Sequence, residues 1–127
     1  MHRLPAEWPD RTEEKYMENI RQYMQENRGA ATIMAAKALC LPEREIIRAL
    51  EGEAVEAPLS SFEDIMKEIA EWGEVLVIVT NGSVILEVKS EMPLGKYGHG
   101  MYNIHSKESP VGGHFMADRF DSIFFVS

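Results

Sequence analysis

Cysteine is almost missing from this chain of 127 residues: Cys40 stands alone, so no disulfide can close within it. Positive charge is also scarce. Thirteen Lys and Arg against 21 Asp and Glu leave a net charge of −8, without the broad basic face that attraction to phosphate backbones or anionic lipid requires. No apolar run approaches the ~20 residues that span a bilayer. The opening MHRLPAEWPD is polar and proline-bearing where a secretory leader would carry an apolar core. These deficits point to a cytoplasmic protein that takes neither nucleic acid nor membrane as a partner. Chemical signatures are lacking too, with no nucleophile elbow, P-loop, dinucleotide-binding glycine pattern or zinc spacing. His99, His105 and His114 have five and eight residues between them, which suits neither a helical metal pair nor a zinc finger.

What is present is the balance of one globular domain, 45% hydrophobic and 27% charged. After an irregular lead-in, Thr12 caps a helix running to about Asn27, with Tyr16, Ile20, Tyr23 and Met24 on one face and Arg28-Gly29 as the stop. Two short helices follow. Ile33, Met34, Ala36 and Leu39 form the apolar face of the first, Cys40-Leu41-Pro42 interrupt it, and Pro42 opens the second, which runs through Leu50. This outlines a helix-turn-helix. Its second helix, however, offers Glu43, Arg44, Glu45 and Arg48, and residues 11–53 hold seven Lys and Arg against eight Asp and Glu, so a helical packing module is the better reading than a base-reading element.

Residues 53–60 read as a linker around Pro58. Ser60 or Ser61 then caps a helix through Trp72, with Phe62, Ile65, Met66, Ile69 and Trp72 recurring at helical spacing and Gly73 ending it. A hairpin follows: Val75 to Val79, a two-residue type I′ turn at Asn81-Gly82, and a return from Ser83 to Val88. The first strand is apolar without alternation, which predicts that both its faces are covered. Ser90 to Gly100 reads as a glycine-rich loop, followed by short strands at Met101–Ile104 and 113–117 and a last one from Asp121 to Val126. That terminal strand must lie inside a sheet or pair with another chain. The fold expected is α+β, helices (helix-turn-helix-like) first and an antiparallel sheet second, as a single domain over 1–127 divided into a helical part (11–58) and a helix plus sheet (60–127).

The segment from Glu71 to Phe115, with the terminal DSIFFVS, resembles the HutX/ChuX family of bacterial cytosolic haem-utilisation carriers. The resemblance lies in Glu71-Trp72-Gly73, Leu86-Glu87-Val88, Pro93, Gly95-Lys96, His99-Gly100, Tyr102-Asn103 and Gly113-His114, and more loosely in the helical LPEREIIRAL. It implies an α+β haem binder with a cleft beside the sheet, commonly a dimer, whose members continue beyond the equivalent of Ser127 with further strands and a helix. It assigns His114 to haem binding and to iron as the metal ligand. Tyr102 matches one of two adjacent aromatics, the other being Met101 here, and a further family histidine is replaced by Thr80. A haem carrier needs an apolar slot, an iron ligand and cations for the propionates. His114 supplies the imidazole, Met101 and His99 are reserve ligands, and Lys96, Lys89 or Arg119 meets the propionates. The function implied is an intracellular haem carrier or store, a homodimer that passes haem as cargo to a receiving protein. Three alternatives stand beside it: a haem-degrading enzyme, a haem-sensing helix-turn-helix regulator, and a homologue that binds nothing.

Overall fold

A computed structural model of the chain describes residues 14–50 and 52–127, with side chains from residue 17 onward. The lead-in, the Thr12 cap and the Tyr16 side chain lie outside these. The chain forms two compact units, residues 14–56 with Phe124–Ser127 and residues 57–123. Among the described residues no helix is long and apolar enough to cross a membrane.

The first unit is built on three helices, α1 (Glu14–Glu26), α2 (Thr32–Leu39) and α3 (Glu43–Arg48). Ile20 of α1, Ala35 and Ala36 of α2, and Ile46 with Ala49 at α3 are buried together, flanked by Met17, Tyr23, Met24, Leu39 and Leu41. Burial of the two isoleucines supplies ~1.5–3 kcal/mol apiece, with smaller terms from the alanines, and this packing stabilises helices too short to form alone. One expected face shifts: Met34 points outward and Ala35 is buried in its place. The reason is the paired alanines, whose small side chains let α2 approach its neighbours. The helix ends where Cys40 takes a left-handed conformation (φ 55) and Leu41 N–H reaches back to the Ala36 carbonyl. Pro42 is the N-cap of α3.

Residues 53–60 are not wholly linker. Ala54–Ala57 form strand β1, and its sheet neighbour is the chain's last strand, β7 (Ile123–Val126). Ser127 N–H donates to the Glu53 carbonyl at 2.7 Å and Arg48 binds Glu56 through both Nε (2.9 Å) and an Nη (2.8 Å). The apolar terminal strand is therefore paired within its own chain. The arginines of α3 are held by carboxylates, Arg44 by Glu45 and Arg48 by Glu45 and Glu56.

The second unit opens with a 3₁₀ turn (Leu59–Ser61) and helix α4 (Phe62–Ile69), shorter than its apolar periodicity suggests; Trp72 lies beyond its end and is exposed. Ser61 occupies the N-cap position without a side-chain capping bond. The predicted hairpin is present as β2 (Glu74–Thr80) against β3 (Ile85–Glu91), antiparallel, with Thr80 opposite Ile85. Its connection is not the two-residue type I′ turn. It is a four-residue loop in which Asn81 Oδ1 accepts from Ser83 N–H (2.9 Å) and Val84 N–H (3.1 Å), and the Thr80 hydroxyl accepts from Gly82 N–H. An asparagine side chain that caps its own turn competes with the left-handed conformation a type I′ turn would ask of it. The register moves by two residues, an even number, so every side chain keeps its face.

The supposed glycine loop contains a strand. β4 (Gly95–Gly98), β5 (Met101–Ile104) and β6 (Gly113–Phe115) form a three-stranded antiparallel sheet, and the two-residue turn lies here, at His99-Gly100, both with positive φ (55 and 76). Beyond β6 the chain makes a 3₁₀ turn at Ala117–Arg119 rather than continuing extended. One face of this sheet carries Tyr102, Ile104 and Phe115 into a core with Phe62 and Met66 of α4. The Phe62 ring meets those of Tyr102 (5.3 Å), Phe115 (5.6 Å) and Phe120 (4.9 Å), edge-on or tilted, the arrangement favoured by aromatic quadrupoles.

Candidate functional site

Alternation along the strands sorts the sequence-predicted residues onto two faces. Opposed pairs Lys96–Asn103 and Gly98–Met101 on β4 and β5, with Asn103–His114 on β5 and β6, share the face away from the aromatic core. Tyr97, Tyr102 and Phe115 share the other. So Lys96, Met101 and His114 come together on one surface, with His99 at the tip of the adjoining turn, and Tyr102 does not join them. Its side chain is 0% exposed, and its hydroxyl accepts a hydrogen bond from Gly95 N–H at 2.9 Å. Tyr102 holds the sheet to the core.

Three devices make the outer face rigid. The His99-Gly100 turn fixes the β4–β5 register. Asn103 closes it from the side: its Nδ2 donates to the carbonyls of Lys96 (3.2 Å), Gly98 (3.1 Å) and Met101 (3.2 Å). At the other edge, the loop before β6 is tied to β3, because the buried Ser90 hydroxyl lies 2.9 Å from that of Ser109 and donates to the Glu91 carbonyl, and Ser109 accepts from Val111 N–H. β6 thereby enters the sheet with His114 beside Asn103, Nδ1 to Oδ1 2.6 Å.

The resulting surface offers an imidazole, a thioether and an ammonium on rigid backbone. The imidazole and the ammonium are exposed, and Met101 is half-buried. Among the described residues no three His, Cys, Asp or Glu side chains gather as a metal site. A separate open cavity of about 720 Å³ lies in the helical unit, bordered by Arg21, Arg28 and Glu53; it contains none of the sequence-predicted residues.

A family model described as haem utilisation ChuX/HutX matches residues 55–127. The chain belongs to that family. The intracellular heme transport protein HutX of Vibrio cholerae is 28% identical over 119 residues, 93% of this chain and 62% of the relative. The chain thus spans less than two thirds of that protein's length. A crystal structure of a protein from Erwinia carotovora superposes with a TM-score of 0.77 at 28% identity, covering 84% of this chain and 66% of the other. One from Agrobacterium tumefaciens gives 0.70 at 36% identity, covering 94% and 70%. In this ChuX/HutX chain all the sequence-predicted site residues fall within the matched segment. Asn103 falls there too, and sequence reading gave it no role, because its contacts depend on a register across two turns that no local pattern encodes.

Proposed function

We propose that this chain is an intracellular, cytoplasmic haem carrier or store that binds haem as cargo and releases it to a receiving protein, without chemically altering it. The observation that carries this reading is the shared outer face of β4, β5 and β6, where His114, Met101 and Lys96 stand together in a chain of the haem-utilisation family. The donor set fits the molecule. Haem asks for a neutral nitrogen or thioether at iron, apolar contact for the macrocycle and cations for two carboxylates. His114 is the iron ligand, Met101 lies against the ring or serves as a weak second ligand, and Lys96 meets a propionate. A site open to solvent, with one imidazole as its strong ligand, suits cargo that must leave again. Tyr102 contributes by fixing the sheet rather than by touching haem.

Titration with ferric haem, followed in the Soret region for the wild type and His114→Ala, tests the reading. Saturable one-to-one binding that weakens by about tenfold or more, ~1.4 kcal/mol, and changes spectrum in the variant supports it. Uptake that never saturates, or an unchanged spectrum in the variant, rejects the carrier or its ligand respectively.

The second part of the proposal is a homodimer. Among the described residues β2 and β3 pair only with each other, and apolar side chains stand exposed on both faces of the hairpin: Leu76 (49%) and Ile78 (51%) on one, Val79 (64%) and Leu86 (62%) on the other. Among the described residues nothing supplies the covering expected for an unalternating strand. A second copy supplies it.

A further inference from the structure

We propose that Asn103 is a positioning residue that fixes the tautomer of His114, leaving the Nε2 lone pair free and aimed away from the sheet to receive iron; this rests on the haem reading above. The argument begins with the asparagine. Its amide nitrogen lies within 3.2 Å of three backbone carbonyl oxygens, those of Lys96, Gly98 and Met101. Rotating the amide by half a turn would set its oxygen against all three, acceptor facing acceptor, so the nitrogen must occupy that side. The two N–H groups are shared among the three carbonyls, and Oδ1 is left facing His114.

The consequence for the histidine follows directly. Oδ1 can only accept, so the 2.6 Å contact to His114 Nδ1 requires Nδ1 to carry hydrogen. A neutral imidazole protonated at Nδ1 has its lone pair at Nε2. That is the arrangement metal-binding histidines use, with the second ring nitrogen tied to an acceptor that fixes tautomer and ring orientation and raises the basicity of the ligating nitrogen. Here the acceptor is neutral and is itself anchored by backbone. The same asparagine therefore closes the β4–β5 turn through its nitrogen and orients His114 through its oxygen. Two residues with no sequence proximity to each other are coupled through one amide group.

The experiment uses the ¹⁵N-labelled apo protein and two variants. Long-range ¹H–¹⁵N correlation spectra of the imidazoles report which ring nitrogen of His114 carries hydrogen, and ferric-haem titration and dissociation rates are measured on the same samples. In the wild type, neutral His114 shows hydrogen on Nδ1. Asn103→Leu removes both the acceptor and the turn bonds; its His114 shifts toward the Nε2–H form and haem binds about ten- to a hundred-fold more weakly, the usual effect of losing such a partner. Asn103→Asp loses the donors to the turn but keeps an oxygen for Nδ1–H. It melts earlier than the wild type yet retains the tautomer and binds haem more tightly than Asn103→Leu. Hydrogen on Nε2 in the wild type overturns the proposal whatever haem does. Haem loss as severe in Asn103→Asp as in Asn103→Leu, with the tautomer retained, also overturns it by reducing Asn103 to a turn residue. An Nδ1–H wild type that takes up no haem saturably strikes instead at the carrier reading.

Discussion

The Tyr102 ring fills the space that a side chain at Gly95 would need. A methyl group at Gly95 would clash with the Tyr102 ring and lie 2.8 Å from its hydroxyl oxygen, and the Gly95 N–H donates to that hydroxyl. The ring cannot swing away, because it is fully buried against Phe62 and Phe115. Gly95→Ala should therefore force the β4 backbone off the core at a cost of about 1–3 kcal/mol. Tyr102→Phe keeps the ring and loses the acceptor for a half-buried N–H, a cost of about 1–2 kcal/mol. Urea denaturation midpoints of the two variants measure both, and each is a large share of the 5–15 kcal/mol typical of a domain.

His99 carries a strain that glycine would relieve. In the two-residue turn between Gly98 and Met101 it holds φ 55, a conformation that costs a side-chain-bearing residue roughly 1–2 kcal/mol. Set against glycine's larger chain entropy of about 0.5–1 kcal/mol, His99→Gly should stabilise the protein by about 0.5 kcal/mol. Since the proposed iron ligand is His114 and not His99, the haem spectrum of this variant should be unaltered. Thermal melts and a Soret spectrum of the variant check the two halves of this expectation.

Periodic elements were readable and relational ones were not. The apolar spacing of Ile20 and Met24, of Phe62 and Met66, and the unbroken Val75 to Val79 announce α1, α4 and β2, because each bears its pattern locally. β4 was hidden by its own glycines. Gly-Lys-Tyr-Gly reads as loop, and the reason for Gly95 is a ring seven residues downstream. β1 was hidden because Ala54–Ala57 is short and partly charged, and its sheet neighbour lies some seventy residues on. For the proposed site, His114, Met101 and Lys96 are candidates by residue type and resemblance alone. That they share a face, and that Tyr102 takes the opposite one, follows from strand alternation once the register is known.

Lys96 should matter modestly and in a salt-dependent way. Its ammonium is exposed, and an exposed ion pair contributes about 0.2–1 kcal/mol, so Lys96→Ala should weaken haem binding by about 1.5- to 5-fold. Lys96→Glu adds repulsion of a propionate and should weaken it further. Raising ionic strength toward 1 M, where the screening length falls to about 3 Å, should draw the three proteins together. Haem titrations at low and high salt provide the comparison. A salt-independent gap would assign Lys96 a packing role instead.

The hairpin offers the sharpest test of self-association. Val79 and Leu86 are directly opposed, both about two-thirds exposed, and neighbour Val77 and Val88 on the same face. In an isolated chain, replacing either with lysine removes little buried surface and should change folding stability by no more than about 0.5 kcal/mol. In a dimer closed across this face, the same change sets a charge into an apolar interface and its symmetry copy nearby. Val79→Lys and Leu86→Lys should therefore be folded monomers under conditions where the wild type is a dimer, as read by light scattering over a concentration series alongside far-UV circular dichroism. Variants that remain dimeric with unaltered affinity would place the contact elsewhere on the chain. A wild type that is monomeric throughout the series would remove the homodimer altogether.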